Sequence, residues 1–145
     1  ILTITEGSVI TTENVEITIN KIELSYDVLP DNTNGYYTHY PAESGHVYIH
    51  IDADVKNLGR QNLDCDNILS VTADYNGGYK DKGFAVTEDN NTGFTYANIT
   101  SIKPLETRGI RFLISCPQEV ETSANSLTLD IVITGTGETY TYTVR

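Results

Sequence analysis

Residues His46 to Gly59, HVYIHIDADVKNLG, constrain this chain more than any other stretch. Val47, Ile49, Ile51, Ala53 and Val55 point one way. Tyr48, His50, Asp52, Asp54 and Lys56 point the other. Side chains alternate between two faces only in extended backbone, so this pattern predicts a β-strand with one buried and one wet face. A helix would need one apolar stripe at i, i+3, i+4 and i+7, and the strict period of two in this run does not supply it. Asn57-Leu58-Gly59 then supplies turn chemistry. The segment is expected to be the central strand of a sandwich.

The same period recurs along the chain. Residues 1–11 hold two short apolar pieces split by Glu6-Gly7 and read as a frayed edge strand. Val15, Ile17 and Ile19 alternate, the phase slips after Asn20-Lys21, and Ile22, Leu24 and Tyr26 resume it. One extra residue marks a β-bulge, which can bend a strand from one sheet into another. Leu69, Val71, Ala73 and Tyr75 form a further strand, and Asn76-Gly77-Gly78 turns it back through Tyr79–Phe84 as a hairpin. Thr87 to Gly93 reads as a polar loop, with Phe94, Tyr96 and Ile99 in the strand after it. Ile110, Phe112 and Ile114 alternate against Arg111, Leu113 and Ser115 until Pro117 stops the strand. Gln118 to Asn125 has room for one helical turn. Leu127 to Ile133 and Tyr140 to Val144, joined by Gly135-Thr136-Gly137, predict a C-terminal hairpin. The expected fold is all-β: a β-sandwich of two antiparallel sheets with seven to nine strands, in one domain over residues 1–145.

Charge narrows the partners. Twenty acidic against nine basic residues give a formal charge of −11. That argues against nucleic acid and anionic lipid, which call for basic patches. It leaves a solubilising surface, or one that collects Ca²⁺ or a basic partner. No run is long enough to span a membrane as a helix. The chain starts at Ile1 and contains no Met, so a trimmed product is expected, its signal peptide or lipid anchor already removed.

Cys65 and Cys116 sit outside any C-x-x-C pair and lack a nearby His to complete a zinc set. A disulfide is the preferred reading, with two buried thiols as the alternative. Such a bridge would stabilise the fold by about 4 kcal/mol and call for an oxidising compartment.

Three features together resemble a known family. They are the strand end Asp54-Val55-Lys56-Asn57-Leu58-Gly59, the segment Lys103-Pro104-Leu105-Glu106-Thr107 leading into Ile110–Ile114, and the closing Pro117. This pattern resembles the bacterial extracellular domains of unknown function in the immunoprotective extracellular protein superfamily, over roughly residues 12 to 145. The resemblance implies an immunoglobulin-like sandwich, often on lipoproteins, at the bacterial cell surface or secreted. It carries no catalytic residue. The family commonly has glycine where this chain has Leu105.

Chemistry has few footholds. His46 and His50 share the wet face of the central strand but lie about 13 Å apart, too far for one zinc without other strands. Asp52 and Asp54, about 6.6 Å apart, have a spacing open to glycosidase carboxylates, but their neighbours read as a solvated face. Glu88, Asp89 and Asn91 form an oxygen-rich stretch that is a weak Ca²⁺ candidate, outside any helix-flanked calcium loop. No cofactor is expected. The connection Pro30–Gly45 carries Tyr36, Tyr37, His39 and Tyr40, read either as a loop folded over the sandwich edge or as an exposed aromatic patch. With Tyr48 and His50 on the wet face, these are the expected contact residues of a non-catalytic binding domain for a protein or envelope ligand. The alternatives are a carbohydrate-binding module built on the tyrosine loop, weakened by the absence of Trp, and a hydrolase using surface carboxylates.

Overall fold

The computed structural model describes residues 2–89 and 92–145. Two short strands come first, β1 (Leu2–Thr3) and β2 (Val9–Thr11). β3 (Val15–Ser25), β4 (Asp27–Val28), β5 (Tyr40–Pro41) and β6 (His46–Asn57) follow. Next come β7 (Leu63–Asp64), β8 (Leu69–Tyr75), β9 (Tyr79–Lys82), β10 (Phe84–Asp89) and β11 (Gly93–Tyr96). A 3-10 turn at Ala97–Ile99 leads to β12 (Ser101–Ile102) and β13 (Thr107–Pro117). The helical turn α1 (Glu119–Thr122) precedes β14 (Leu127–Ile133) and β15 (Thr139–Thr143).

Two main sheets form a β-sandwich. One has the order β1-β15-β14-β8-β9 and the other β11-β10-β13-β6-β3-β2. The short pairs β4–β5 and β7–β12 stand apart from them. β6 is central, as its alternation foretold, hydrogen-bonded to β3 on one side and β13 on the other. Its inward residues Val47, Ile49, Ile51, Ala53 and Val55 are fully buried against Val71, Leu129 and Ile131 of the opposite sheet.

Several local expectations change. The sheets hold more strands than seven to nine because the edges break into short pieces. Residues 2–11 make two strands, not one frayed edge: β1 joins the five-stranded sheet and β2 the six-stranded one. β1 runs parallel to β15, the one departure from antiparallel pairing between these strands. The bulge lies where the phase slipped, between Ile19 and Lys21, but β3 stays on β6 along its whole length. The extra residue bends the strand and re-aims Lys21 and Glu23 without changing sheets. The segment read as a polar loop after Thr87 is largely strand, because β10 runs on to Asp89 and pairs with β11. Ile99 falls in the 3-10 turn instead of that strand.

Two turns show how backbone angles choose residues. Asn76 (φ 53°) and Gly77 (φ 65°) both take left-handed angles, the geometry of a tight hairpin turn. Leu105 also has a positive φ, 67°. That angle favours glycine, which is the residue the resembled family commonly places there.

A single residue, Gly83, joins β9 of one sheet to β10 of the other. Its N–H donates to the Val71 carbonyl at 2.9 Å. A Cβ at Gly83 would lie 2.7 Å from Ile114 and Val71 side-chain carbons, so the crossing needs a residue without one.

Candidate binding face

The outer face of the six-stranded sheet was expected to be wet. Its centre is covered instead. Strand register sets up what covers it: Lys21, Asp52 and Arg111 lie in one cross-strand row, and Glu23, His50 and Leu113 in the next. Neighbours in such rows are close enough for their side chains to meet.

Arg111 is the hub, with 3% of its surface exposed. Its Nε and Nη2 donate to Glu88 Oε1 at 3.1 and 2.5 Å. Nη2 also donates to Asp31 Oδ1 at 2.8 Å, and Nη1 to the Leu29 carbonyl at 3.3 Å. Asp52 Oδ1 lies 3.3 Å from Nε, and the guanidinium stands 5.6 Å from the centre of the Phe94 ring. A buried arginine is tolerated only with such a set of acceptors. Gly109, two residues earlier, makes room for the Glu88 carboxylate: a Cβ there would run into Glu88 Oε2.

His50 is also buried, at 4% exposure, contrary to its place on the wet phase of the alternation. Its Nδ1 is 3.1 Å from Glu23 Oε1, and its Nε2 3.0 Å from Arg111 Nη1. Arginine can only donate, so Nε2 accepts and the ring proton sits on Nδ1, donated to Glu23. Burial pushes the His50 pKa below its usual value, and the Arg111 charge acts in the same direction. Burial raises the Asp52 and Glu88 carboxyls, outweighing the pull of Arg111. Burial would raise Glu23 as well, but hydrogen bonds from Lys21 and His50 outweigh it and hold Glu23 low. Asp52 is therefore part of a half-buried network and not a solvated acid, while Asp54 stays exposed and accepts from Asn20 at 3.1 Å.

Beside the network lies a second, smaller apolar cluster of Val28, Val86, Phe94 and Leu113, with Tyr40 and Tyr48 packed against it. Tyr40 sits 5.7 Å from Phe94 and 6.0 Å from Phe84, and Tyr48 6.3 Å from Phe84, ring centre to ring centre. The tyrosines therefore separate by burial. Tyr40 and Tyr48 are anchors of the covered face. Tyr36 is 100% exposed and Tyr37 36%. His39 hydrogen-bonds Asp27 at 2.7 Å and meets Tyr37 edge-on at 5.9 Å. The Thr38 N–H donates to the Thr92 carbonyl at 2.7 Å. Gly93, at φ +90°, lets the connection pass close: a Cβ there would lie 3.0 Å from Pro30 Cγ and from the Thr38 backbone.

The expected disulfide is absent. Cys65 and Cys116 are free and buried. Cys116 is level with Val47 at one end of β6. Cys65 hydrogen-bonds through its N–H to Thr100, near Ile102, whose carbonyl accepts from Asn57 at the other end. Ten residues of strand separate these ends, about 33 Å, whereas a disulfide needs Cα atoms within about 7 Å. Burial pushes the Cys116 thiol up to about 12 and raises Cys65 too, so neither is a thiolate nucleophile.

The other expectations sort as follows. Among the described residues no three His, Cys, Asp or Glu side chains are grouped to hold a metal. In the weak Ca²⁺ candidate, the Glu88 carboxylate is drawn onto Arg111, and Asn91 lies outside the described residues. Arg111 is the functional-looking residue that alternation alone missed. Its signal was a lone charge within the apolar run Ile110–Ile114.

No protein-family model matches the chain, and no curated protein matches it. Among solved structures it is similar to an uncharacterized β-sandwich protein from Clostridium difficile 630, at 49% identity and TM-score 0.96, over 99% of this chain and 94% of that one. It is also similar in fold to a conserved hypothetical protein from Bacillus anthracis, at 14% identity and TM-score 0.58, over 99% and 95%.

Proposed function

The chain belongs to the same family as that Clostridium difficile β-sandwich protein, and from this premise we propose that it is a non-catalytic binding domain working outside the bacterial cytoplasm. The contact surface is the tip of the connection between β4 and β5, and the partner is a protein. The observation that carries this reading is a bare aromatic tip on a fixed stem. Tyr36 is wholly exposed, while the residues around it are pinned by Arg111 to Leu29 and Asp31, by Asp27 to His39, and by Thr92 to Thr38. Tyrosine is enriched at protein interfaces because it brings a large apolar surface with a hydrogen-bonding end. A stem that is already ordered lowers the entropy lost on binding.

The carboxylates give less support to a hydrolase. Asp52 and Glu88 both face the Arg111 guanidinium, which holds them as its counter-ions. The extracytoplasmic location rests on the sequence resemblance alone, since free thiols withdraw the support a disulfide would have lent.

A photocrosslinking amino acid placed at position 36 tests the proposal against envelope preparations of the source bacterium, with the same group at Thr136 as control. A defined protein crosslinked at 36 and not at 136, with affinity reduced about tenfold or more by Tyr37→Ser, is the expected result. Binding on a glycan array lost in the Tyr36→Ser, Tyr37→Ser double variant would move the reading to carbohydrate. Hydrolytic turnover abolished by Asp52→Asn would overturn it.

A further inference from the structure

We propose that His50 and Arg111 form an acid-sensitive latch that holds the tyrosine connection in its binding-ready position. This rests on the reading of that connection as the contact surface and assigns its regulation.

The geometry is specific. Arg111 spans from the middle of β13 to the root of the connection, where it donates to the Leu29 carbonyl and Asp31. The same Nη1 that reaches Leu29 also donates to His50 Nε2. Uncharged His50 therefore steadies the guanidinium in the position that grips the connection. A proton added at Nε2 turns this acceptor into a donor. Two N–H groups then face each other 3.0 Å apart, both on cations, in a site almost closed to water. His50 cannot be protonated while Arg111 stays where it is. The proton and the closed latch exclude each other, so acid favours the state in which Arg111 has let go of Leu29.

The surroundings of His50 define the sign. Glu23 of β3 accepts from Nδ1 and favours the protonated ring, as does the charge of Asp52 on β6 itself. Burial and Arg111 of β13 oppose it. Lys21, Asp27 and Asp31 line the same cavity of about 280 Å³. The cavity gives the displaced guanidinium an adjacent polar space. His39, on the connection itself, faces Asp27 at 2.7 Å and not His50.

Amide hydrogen exchange of the free protein reads the latch without any partner, so its failure is separable from failure of the binding proposal. The reporter is the Thr38 amide, bonded to the Thr92 carbonyl. After correction for intrinsic exchange, its protection is expected to fall by up to about tenfold per pH unit below about pH 6.5, as one coupled proton requires. His50→Gln, whose amide offers an acceptor to Arg111 without titrating, is expected to flatten that profile. On the unaltered protein, imidazole ¹⁵N shifts should show the Nδ1–H tautomer at neutral pH, and protonation of this ring in step with loss of Thr38 protection. Protection that is independent of pH, an identical profile in His50→Gln, or a His50 ring that titrates while Thr38 stays protected would each overturn the latch.

Discussion

Both faces of the six-stranded sheet bury side chains at its centre, by opposite means. The inner face of β6 is closed by Val47, Ile49, Ile51, Ala53 and Val55, all at 1% exposure or less. The outer face of the same strand is closed by an ion network around Arg111 and by the small cluster under Tyr40 and Tyr48. Apolar packing is non-directional and tolerates small shifts, so the inner face fixes the sandwich. The network is directional, and it ties particular atoms of a distant connection to particular atoms of the sheet. One face supplies stability, and the other supplies position.

Five outcomes break or sharpen that comparison. The largest effect is expected from Arg111→Met, which strands the half-buried acids Glu88 and Asp52 without their counter-ion and should cost about 3 kcal/mol or more in urea unfolding. Adding Glu88→Gln and Asp52→Asn should return much of that loss, since removing the orphaned charges removes most of the penalty. No such rescue is open to the inner face. Ile51→Ala should cost about 2–5 kcal/mol with no effect on protection of the Thr38 amide beyond the global shift.

The third outcome is a pH dependence. Above its unfolded value, about 6.5, His50 is neutral in both states. Because its folded pKa is lowered, the unfolded chain takes up a proton below that pH which the folded chain refuses, so stability falls with acid. Asp52 and Glu88, raised in the fold, act oppositely at lower pH, where the folded chain holds their protons first. Thermal melts should therefore show a decline starting near pH 6.5 that His50→Gln removes.

The last two effects lie off both faces. Leu105 is 72% exposed at positive φ, so Leu105→Gly should stabilise the fold by about 0.5–1 kcal/mol, relief of strain exceeding the entropy cost. Reductant should leave the melting temperature unchanged, and denatured protein should titrate two thiols per chain.

Most of the inner face was legible because period two reports polarity directly. Ile17, Ile51, Val71, Leu129 and Ile131 all lie where alternation put them. The bulge, the Asn76-Gly77 turn and the C-terminal hairpin were legible for a related reason: each is fixed by local backbone chemistry. The outer face was not, because alternation separates polar from apolar side chains and says nothing of burial. His50 and Asp52 read as solvated because what covers them comes from Asp31 and Glu88, far away in sequence. The available clue was apolar residues on the polar phase. Leu113 and Tyr48 face the same way as Arg111 and His50, and a solvent face has little use for them. The cysteines misled for the opposite reason, since each lies near a strand end but at opposite ends of the sandwich.

Gly83 carries a consequence for how the molecule assembles. Because one residue stitches β9 to β10, seating either strand in its sheet brings the other to the edge of the opposite layer. The Asn76–Asp89 hairpin-and-crossing segment thus commits its two halves to different layers at once. Unfolding should accordingly be all-or-none, with amides of Val71 and Ile114 exchanging through the same opening event although they belong to different sheets. Lengthening the stitch by a few glycines would be expected to split that event in two, turning one cooperative body into a pair of loosely coupled layers.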